Sequence, residues 1–258
     1  LALRYLPRQD GLRDRGLGPK DKVKIAIVGK YPDYADSYKS GQEAVIHGGI
    51  ANDVGVDIAW TSSDLFTDEK TTQAMIAKFD GVLVPGGFGV RGVEGMVEAI
   101  RIVREGHTPF FGICLGMQVA MIEFARNVCR LDDSNSSEFA PECGNPVISL
   151  MESQQHVKDM GGSMRLGAYP CRLKPGSKAA EIYGVPGISE RHRHRYEVRN
   201  QYRDLFTERG MRASNARSVS GVWWGVSGMG PMGKGRPRGS MVGGPCSPDT
   251  PSSCSASW

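Results

Sequence analysis

Pro109-Phe110-Phe111-Gly112-Ile113-Cys114-Leu115-Gly116-Met117-Gln118 is the stretch whose reading decides the fold. An apolar run passes through G-x-C-x-G into an amphipathic segment, which is the strand–nucleophile–helix elbow written with cysteine in place of serine. The glycines two residues either side of the nucleophile relieve crowding at a sharp turn. Cys114 at the start of the helix meets the positive end of its dipole, which predicts a lowered thiol pKa and thiolate character. The plain alternative is a buried cysteine at a strand–helix junction.

Outward from the elbow, short apolar runs alternate with longer amphipathic ones. Strands are predicted at 23–29, 56–60, 81–85 and 109–113. Helices are predicted at 37–52, with Asp36 or Ser37 as N-cap, and at 68–78, 93–105 and 115–128. This βαβα series predicts an α/β fold with a doubly wound, mostly parallel sheet and flanking helices. Ligands in such sheets sit beyond the carboxyl ends of the strands, so the segments after Gly29, Pro85 and Ile113 should be neighbours in space. One of them, Val84-Pro85-Gly86-Gly87-Phe88-Gly89, is rich in glycines that let backbone N–H groups face an anion or a developing oxyanion, with the Leu115 N–H as second donor.

After Val128 the rhythm becomes irregular and partly antiparallel, with strands predicted at 146–151, 164–173 and 192–198 and a helix at 200–209. The composition then shifts at about Met211. The last 48 residues hold nine Gly, ten Ser, five Pro and three of the four Trp, with one acidic residue and no histidine. So few aliphatic side chains predict a disordered or loosely packed tail.

The whole chain has 258 residues, 40% hydrophobic and 23% charged, which excludes collagen, a disordered polymer and a membrane protein. No apolar run reaches the roughly 18 residues of a membrane span, and the basic stretch 1–22, broken by Gly and Pro, has no signal core. A cytoplasmic location follows as the expectation. A net charge of +4, scattered along the chain, gives no footprint for nucleic acid. Cys114, Cys129, Cys143, Cys171, Cys246 and Cys254 contain no C-x-x-C pair, so neither a zinc site nor a disulfide framework is expected. Gly228–Gly235 imitates a phosphate-binding loop, but a Gly follows Lys234 where Ser or Thr is needed, and Arg236-Pro237-Arg238-Gly239 cannot open a helix.

Taken together, the elbow, the Pro85-Gly86-Gly87-Phe88-Gly89 loop, Phe124-Ala125-Arg126-Asn127-Val128, Met164-Arg165-Leu166-Gly167-Ala168-Tyr169-Pro170-Cys171 and Glu190-Arg191-His192-Arg193-His194-Arg195-Tyr196-Glu197-Val198 closely resemble the class I glutamine amidotransferase domain of the CTP synthase family. The start Val28-Gly29-Lys30-Tyr31 fits as well. The resemblance covers Val23 to Gly210. It implies a flavodoxin-like domain over 23–210, incomplete at its C-terminus, with 1–22 as a linker remnant and 211–258 as an aberrant tail.

The resemblance also implies the chemistry. Cys114 would attack the γ-amide carbon of L-glutamine, release ammonia and hold a glutamyl thioester until water cleaves it. Gly87 and Leu115 would form the oxyanion hole, and Gly87, Leu115, Gly116, Met117, Gln118, Glu138 and Arg195 would hold the substrate. A guanidinium such as Arg195 suits an α-carboxylate and an acid such as Glu138 an α-ammonium; otherwise Glu138 is a solvated loop charge and Arg195 an outward strand residue. Arg165 is the candidate contact for GTP, the effector. The resemblance implies neither metal nor cofactor in this domain. ATP and magnesium would act on a separate synthetase domain, absent from this sequence, that converts UTP to CTP within a homo-oligomeric enzyme.

One departure bears on activity. The family's late His-Pro-Glu motif, which supplies the base and its orienting acid, has no counterpart here, and the last histidine is His194. His47, His107 and His156 read as surface or helix residues. His192 and His194 share one face of a strand, as two metal ligands also would, but their match to the family string favours a structural or substrate-side role. The abrupt tail is what out-of-frame translation of a GC-rich gene produces, and a chain opening at Leu1 reads as a fragment. Severely reduced turnover is therefore expected, since losing a general base costs about 10²–10⁴-fold. The rival readings are a glutamine-binding or interaction module without turnover, a cysteine-elbow hydrolase of the dienelactone type, and a chain that does not fold stably.

Overall fold

The computed structural model describes residues 21–31, 38–150 and 165–213; for Arg165, Leu166 and Arg193 only the backbone is described. The linker at 1–20, the caps Asp36 and Ser37, His156, Cys246, Cys254, the loop-like 228–235 and the tail from 214 onward lie outside these residues.

Four strands build the main sheet: β1 (Asp21–Gly29), β2 (Val54–Ser62), β3 (Gly81–Val84) and β4 (Phe110–Gly112), in the order β2-β1-β3-β4. Every pairing is parallel, as the alternating apolar and amphipathic runs predicted. β1 lies inside the sheet, and its last five residues are buried regardless of which face they point to, which is why it reads as a continuous apolar run. The crossovers are α1 (Lys39–Ala51), α2 (Glu69–Ile76) and α3 (Val93–Glu105), and α4 (Leu115–Asn127) follows β4. Asp68 caps α2, its carboxylate accepting from the Thr71 N–H at 2.9 Å.

The two faces of the sheet carry separate cores. Ala26, Val28, Val82 and Val84 pack with Met96, Ile100, Val119 and Ile122 of α3 and α4. On the other face Ile25, Ile27 and Leu83 meet Val45 of α1, with Val56, Ile58, Trp60 and Ile113. The order 2-1-3-4 with helices on both faces is the doubly wound arrangement expected. One buried charge ties α3 to α4: Glu123, fully buried, accepts from Arg104 Nε at 3.0 and 3.1 Å and from Asn127 Nδ2 at 3.1 Å.

The second half departs from expectation in detail. β5 (Ser134–Ser136) and α5 (Lys178–Tyr183) are additional elements, the first too short and polar to signal a strand and the second capped by Ser177. β6 (Asn145–Leu150) and β7 (Arg165–Arg172) fall where strands were predicted. The single strand predicted at 192–198 is instead two, β8 (Gly187–His194) and β9 (Tyr196–Val198). β8 pairs antiparallel with β7, whereas β9 changes partner and pairs antiparallel with β6, which itself runs parallel to β5. The break at Arg195 is that change of partner.

The predicted helix at 200–209 begins as a 3₁₀ turn (Asn200–Tyr202) and continues as α6 (Arg203–Glu208). Phe206 is fully buried, edge-on to Phe124 with ring centroids 5.8 Å apart. Met211 is also buried, its N–H donating to the Phe206 carbonyl at 2.9 Å, so the core reaches Met211. Among the described residues no helix is long and apolar enough to cross a membrane.

Candidate active site

The elbow is as sharp as its glycines imply. Cys114 sits between β4 and α4 with φ 51° and ψ −105°, a left-handed conformation that costs a non-glycine residue about 1–3 kcal/mol and has to be held by its surroundings. The Ile113 N–H donates to the Val84 carbonyl at 2.9 Å, and the Gln118 N–H to the Cys114 carbonyl at 3.0 Å. The two glycines answer different neighbours. A Cβ on Gly116 would stand 2.0 Å from the Val84 oxygen, because the first turn of α4 lies directly on β3. A Cβ on Gly112 would stand 2.6 Å from the Gly116 carbonyl carbon.

The thiol differs from the local expectation. The Leu115 N–H directed at the sulfur does pull its pKa down, but burial outweighs it, the Glu138 carboxylate adds to the upward push, and the net direction is up. The helix terminus alone predicted the opposite, because a dipole can be read from sequence and desolvation cannot. Among the described residues no histidine is one of the groups that shift this thiol.

The loops after β1, β3 and β4 meet as expected. A Cβ on Gly87 would lie 3.1 Å from Leu115 Cδ2 and 3.6 Å from Lys30 Cδ, so Gly87 is pressed against both. Lys30, at the end of β1, is 2% exposed and donates from Nζ to the carbonyls of Phe88 (3.0 Å) and Gly89. Sequence reading gave Lys30 no role. Its one signal was a lysine set directly after a buried strand, where a charge needs a partner.

Glu138 follows β5, its N–H donating to Ser136 Oγ at 3.2 Å. It is half-buried, and its charge acts on Cys114, on Lys30 and on Tyr196. Arg195, half-buried in the break before β9, acts on Tyr196 from the opposite sign. Gln118 is buried and donates from Nε2 to the Tyr196 carbonyl at 2.9 Å, which docks the first turn of α4 on β9. Met117 is half-buried on the same turn. Cys114, Gly87, Leu115, Gly116, Gln118, Glu138 and Arg195 thus form one neighbourhood, in which Tyr196 links the last three.

Arg165 begins β7, its backbone opposite His194, the residue before Arg195; its side chain lies outside the described residues. His192 is buried and edge-on to Tyr169. His194 shares its face, with ring centroids 5.1 Å apart, and its Nε2 lies 2.8 Å from Glu197 Oε1. His47 is exposed on α1, and His107 takes φ 54° just past α3. No group of three or more His, Cys, Asp or Glu able to hold a metal occurs among the described residues.

Residues 33–221 match the model of the class-I glutamine amidotransferases. The chain belongs to that family. This amidotransferase is 55% identical over 190 residues to the CTP synthase of Geotalea uraniireducens, covering 74% of this chain and 35% of that protein. It is 53% identical over 199 residues to the CTP synthase of Bdellovibrio bacteriovorus, covering 76% and 37%. The chain therefore spans little more than a third of the length of these curated relatives. Among solved structures, the glutaminase domain of Trypanosoma brucei CTPS with bound acivicin aligns with a TM-score of 0.69 at 38% identity, covering 75% of this chain and 74% of that one. The family match continues past residue 210, where the resemblance read from sequence ended.

Proposed function

We propose that this amidotransferase is the glutamine-hydrolysing part of a CTP synthase and that Cys114 is its nucleophile. The observation that carries this reading is the strained elbow. It holds the Cys114 sulfur at the Leu115 N–H, with Gly87 packed on Leu115 and with the charge of Glu138 felt at the sulfur.

In the proposed reaction the Cys114 sulfur bonds to the side-chain carboxamide carbon of glutamine, and the amide oxygen takes the electron pair of its π bond facing the N–H groups of Gly87 and Leu115. Collapse breaks the C–N bond, the nitrogen leaves as ammonia carrying the proton that the thiol gave up, and a glutamyl thioester remains for water to hydrolyse. Glu138 takes the α-ammonium and Arg195 the α-carboxylate, while Gly116, Met117 and Gln118 form the floor. Released ammonia would serve a synthetase domain that uses ATP and magnesium to convert UTP to CTP in the cytoplasm, within a homo-oligomer and with GTP as effector at Arg165. The metal and nucleotides belong to that domain, and no step here uses them.

This sequence carries no histidine after His194, and burial raises the Cys114 thiol. The proton transfer is then unassisted, and turnover falls by about 10²–10⁴-fold from that of a site with a base. The test treats the chain with acivicin and, separately, with amide-labelled glutamine. Covalent addition at Cys114, slowed by glutamine and abolished in Cys114→Ser, is expected together with slow, Cys114-dependent ammonia release. Labelling without ammonia would leave a glutamine-binding module. No labelling of a titratable Cys114 would end the glutamine reading.

A further inference from the structure

The loop that carries Gly87 has little of its own to hold it in shape. Three of the four residues from Gly86 to Gly89 are glycines, Gly89 takes φ 77°, and the side chains of Phe88 and Val90 are 56% and 65% exposed. Side-chain packing therefore does not fix this backbone, although an oxyanion donor has to be fixed before the charge develops.

What fixes it is Lys30. A side chain 2% exposed has lost most of its water and needs acceptors, and its ammonium finds two consecutive carbonyls of the loop, Phe88 and Gly89. Its methylene stem lies along Gly87, with Cδ and Cε at 3.6 and 3.7 Å from where a Cβ would be, beside Leu115 Cδ2 at 3.1 Å. The far end of the loop is tied to the same residue, since Arg91 Nη2 donates to the Lys30 carbonyl and the Arg91 guanidinium lies 5.1 Å from the Tyr31 ring. On the other side the Lys30 N–H donates to Tyr38 Oη at 3.2 Å. Lys30 is thus bonded to the loop after β3 at both ends and anchored to β1 through its own backbone.

We propose that Lys30 is a positioning residue: its buried ammonium braces the loop from Gly86 to Gly89 and so keeps the Gly87 N–H beside Leu115 as a preorganised oxyanion donor. Its catalytic meaning rests on Cys114 being an acyl-transfer nucleophile, but the brace does not depend on which acyl group arrives.

The charge of the brace is sensitive to pH. Burial brings the Lys30 pKa down to about 8, opposed by the carboxylates of Glu138 and Asp64 and assisted by Arg91, while the Phe139 ring lies 5.9 Å from Nζ. Above that value the ammonium becomes a neutral amine and its hold on the two carbonyls weakens.

The test compares two reagents on the full chain, with modification of Cys114 followed by mass and Cys114→Ser as blank. 4-Nitrophenyl acetate acylates through a tetrahedral oxyanion. Iodoacetamide alkylates by displacement at a saturated carbon and needs no oxyanion donor, so the ratio of the two rates cancels thiolate fraction and access. In Lys30→Met the acylation rate should fall about 10–100-fold with alkylation changed by less than about 3-fold, and Lys30→Arg should recover part of the loss. If Lys30→Met does not fold, the wild-type ratio alone decides, and it should fall as pH rises through about 8.

An unchanged ratio in Lys30→Met, a pH-independent ratio in the wild type, or a wild type that is alkylated but never acylated overturns the proposal. Acetate carries no feature of glutamine. Failure of the glutamine reading therefore appears with acivicin, and failure of the brace appears here.

Discussion

Replacing Gly116 with alanine tests whether the elbow is held by the contact between α4 and β3. The added methyl would stand 2.0 Å from the Val84 oxygen, 2.8 Å from its carbonyl carbon and 2.9 Å from its Cβ. Carbon–oxygen contacts close no further than about 3.3 Å, so the first turn of α4 has to withdraw by roughly 1.3 Å or the Val84 carbonyl has to turn away. Turning it breaks the 2.9 Å bond from the Ile113 N–H that anchors the residue before Cys114. Backbone cannot yield as a side-chain tip can, so the cost falls in the overpacking range of about 1–3 kcal/mol. At about 2–4 °C per kcal/mol for a domain of this size, the melting temperature should drop by about 2–12 °C. A shift of about 1 Å at Cys114 should also lower its acylation by 4-nitrophenyl acetate by about 10²-fold. Gly41→Ala in α1 is the control, because nothing lies within 4 Å of its Cβ position and helix propensity then favours alanine by about 0.5–1 kcal/mol. A Gly116→Ala chain that melts within about 1 °C of wild type and acylates at the wild-type rate would refute the reasoning.

Glu138→Gln removes the carboxylate that helps to push the Cys114 thiol up. More thiolate is then present at a given pH, so alkylation by iodoacetamide should quicken at pH 8 and its pH profile move to lower pH; an unmoved profile would show that Glu138 does not act on the Cys114 thiol. Arg104→Met leaves Glu123 buried without its main partner. The change should cost about 3 kcal/mol in urea unfolding, the lower end for a broken buried pair, because the Arg104 side chain keeps 17% of its exposure. The double variant Arg104→Met with Glu123→Met should recover most of that loss, and equal destabilisation of single and double variants would show that the loss does not come from leaving Glu123 without Arg104.

Much of the fold was legible because its parallel half obeys local rules. β1 and β3 are buried on both faces and so appear as unbroken apolar runs, and α3 shows its buried stripe at Val93, Met96, Val97 and Ile100. The elbow was legible for the same reason, since the demand for glycine at 112 and 116 arises within a few residues of Cys114. Where pairing is not local the signal failed. The alternation from His192 to Val198 runs through Arg195 without interruption, and nothing in it records that the strand leaves β7 and joins β6.

The site divides along the same line. Cys114, Leu115 and Gly87 belong to two motifs, and they meet because β3 lies beside β4 in the sheet. Lys30 joins them because β1 lies on the other side of β3, through pairs such as Ile27 with Leu83; the meeting of these loops was legible from the strand series, but the turn of the Lys30 ammonium onto the Phe88 and Gly89 carbonyls was not. The thiol makes the point from the side of electrostatics: the N–H that lowers its pKa comes from the next residue, while the burial and the carboxylate that raise it come from the rest of the fold. Motif reading therefore finds Cys114 and the N–H nearest its sulfur. The strand order β1-β3-β4 brings Lys30 to Gly87, and the segment after β5 brings the Glu138 charge to the Cys114 thiol.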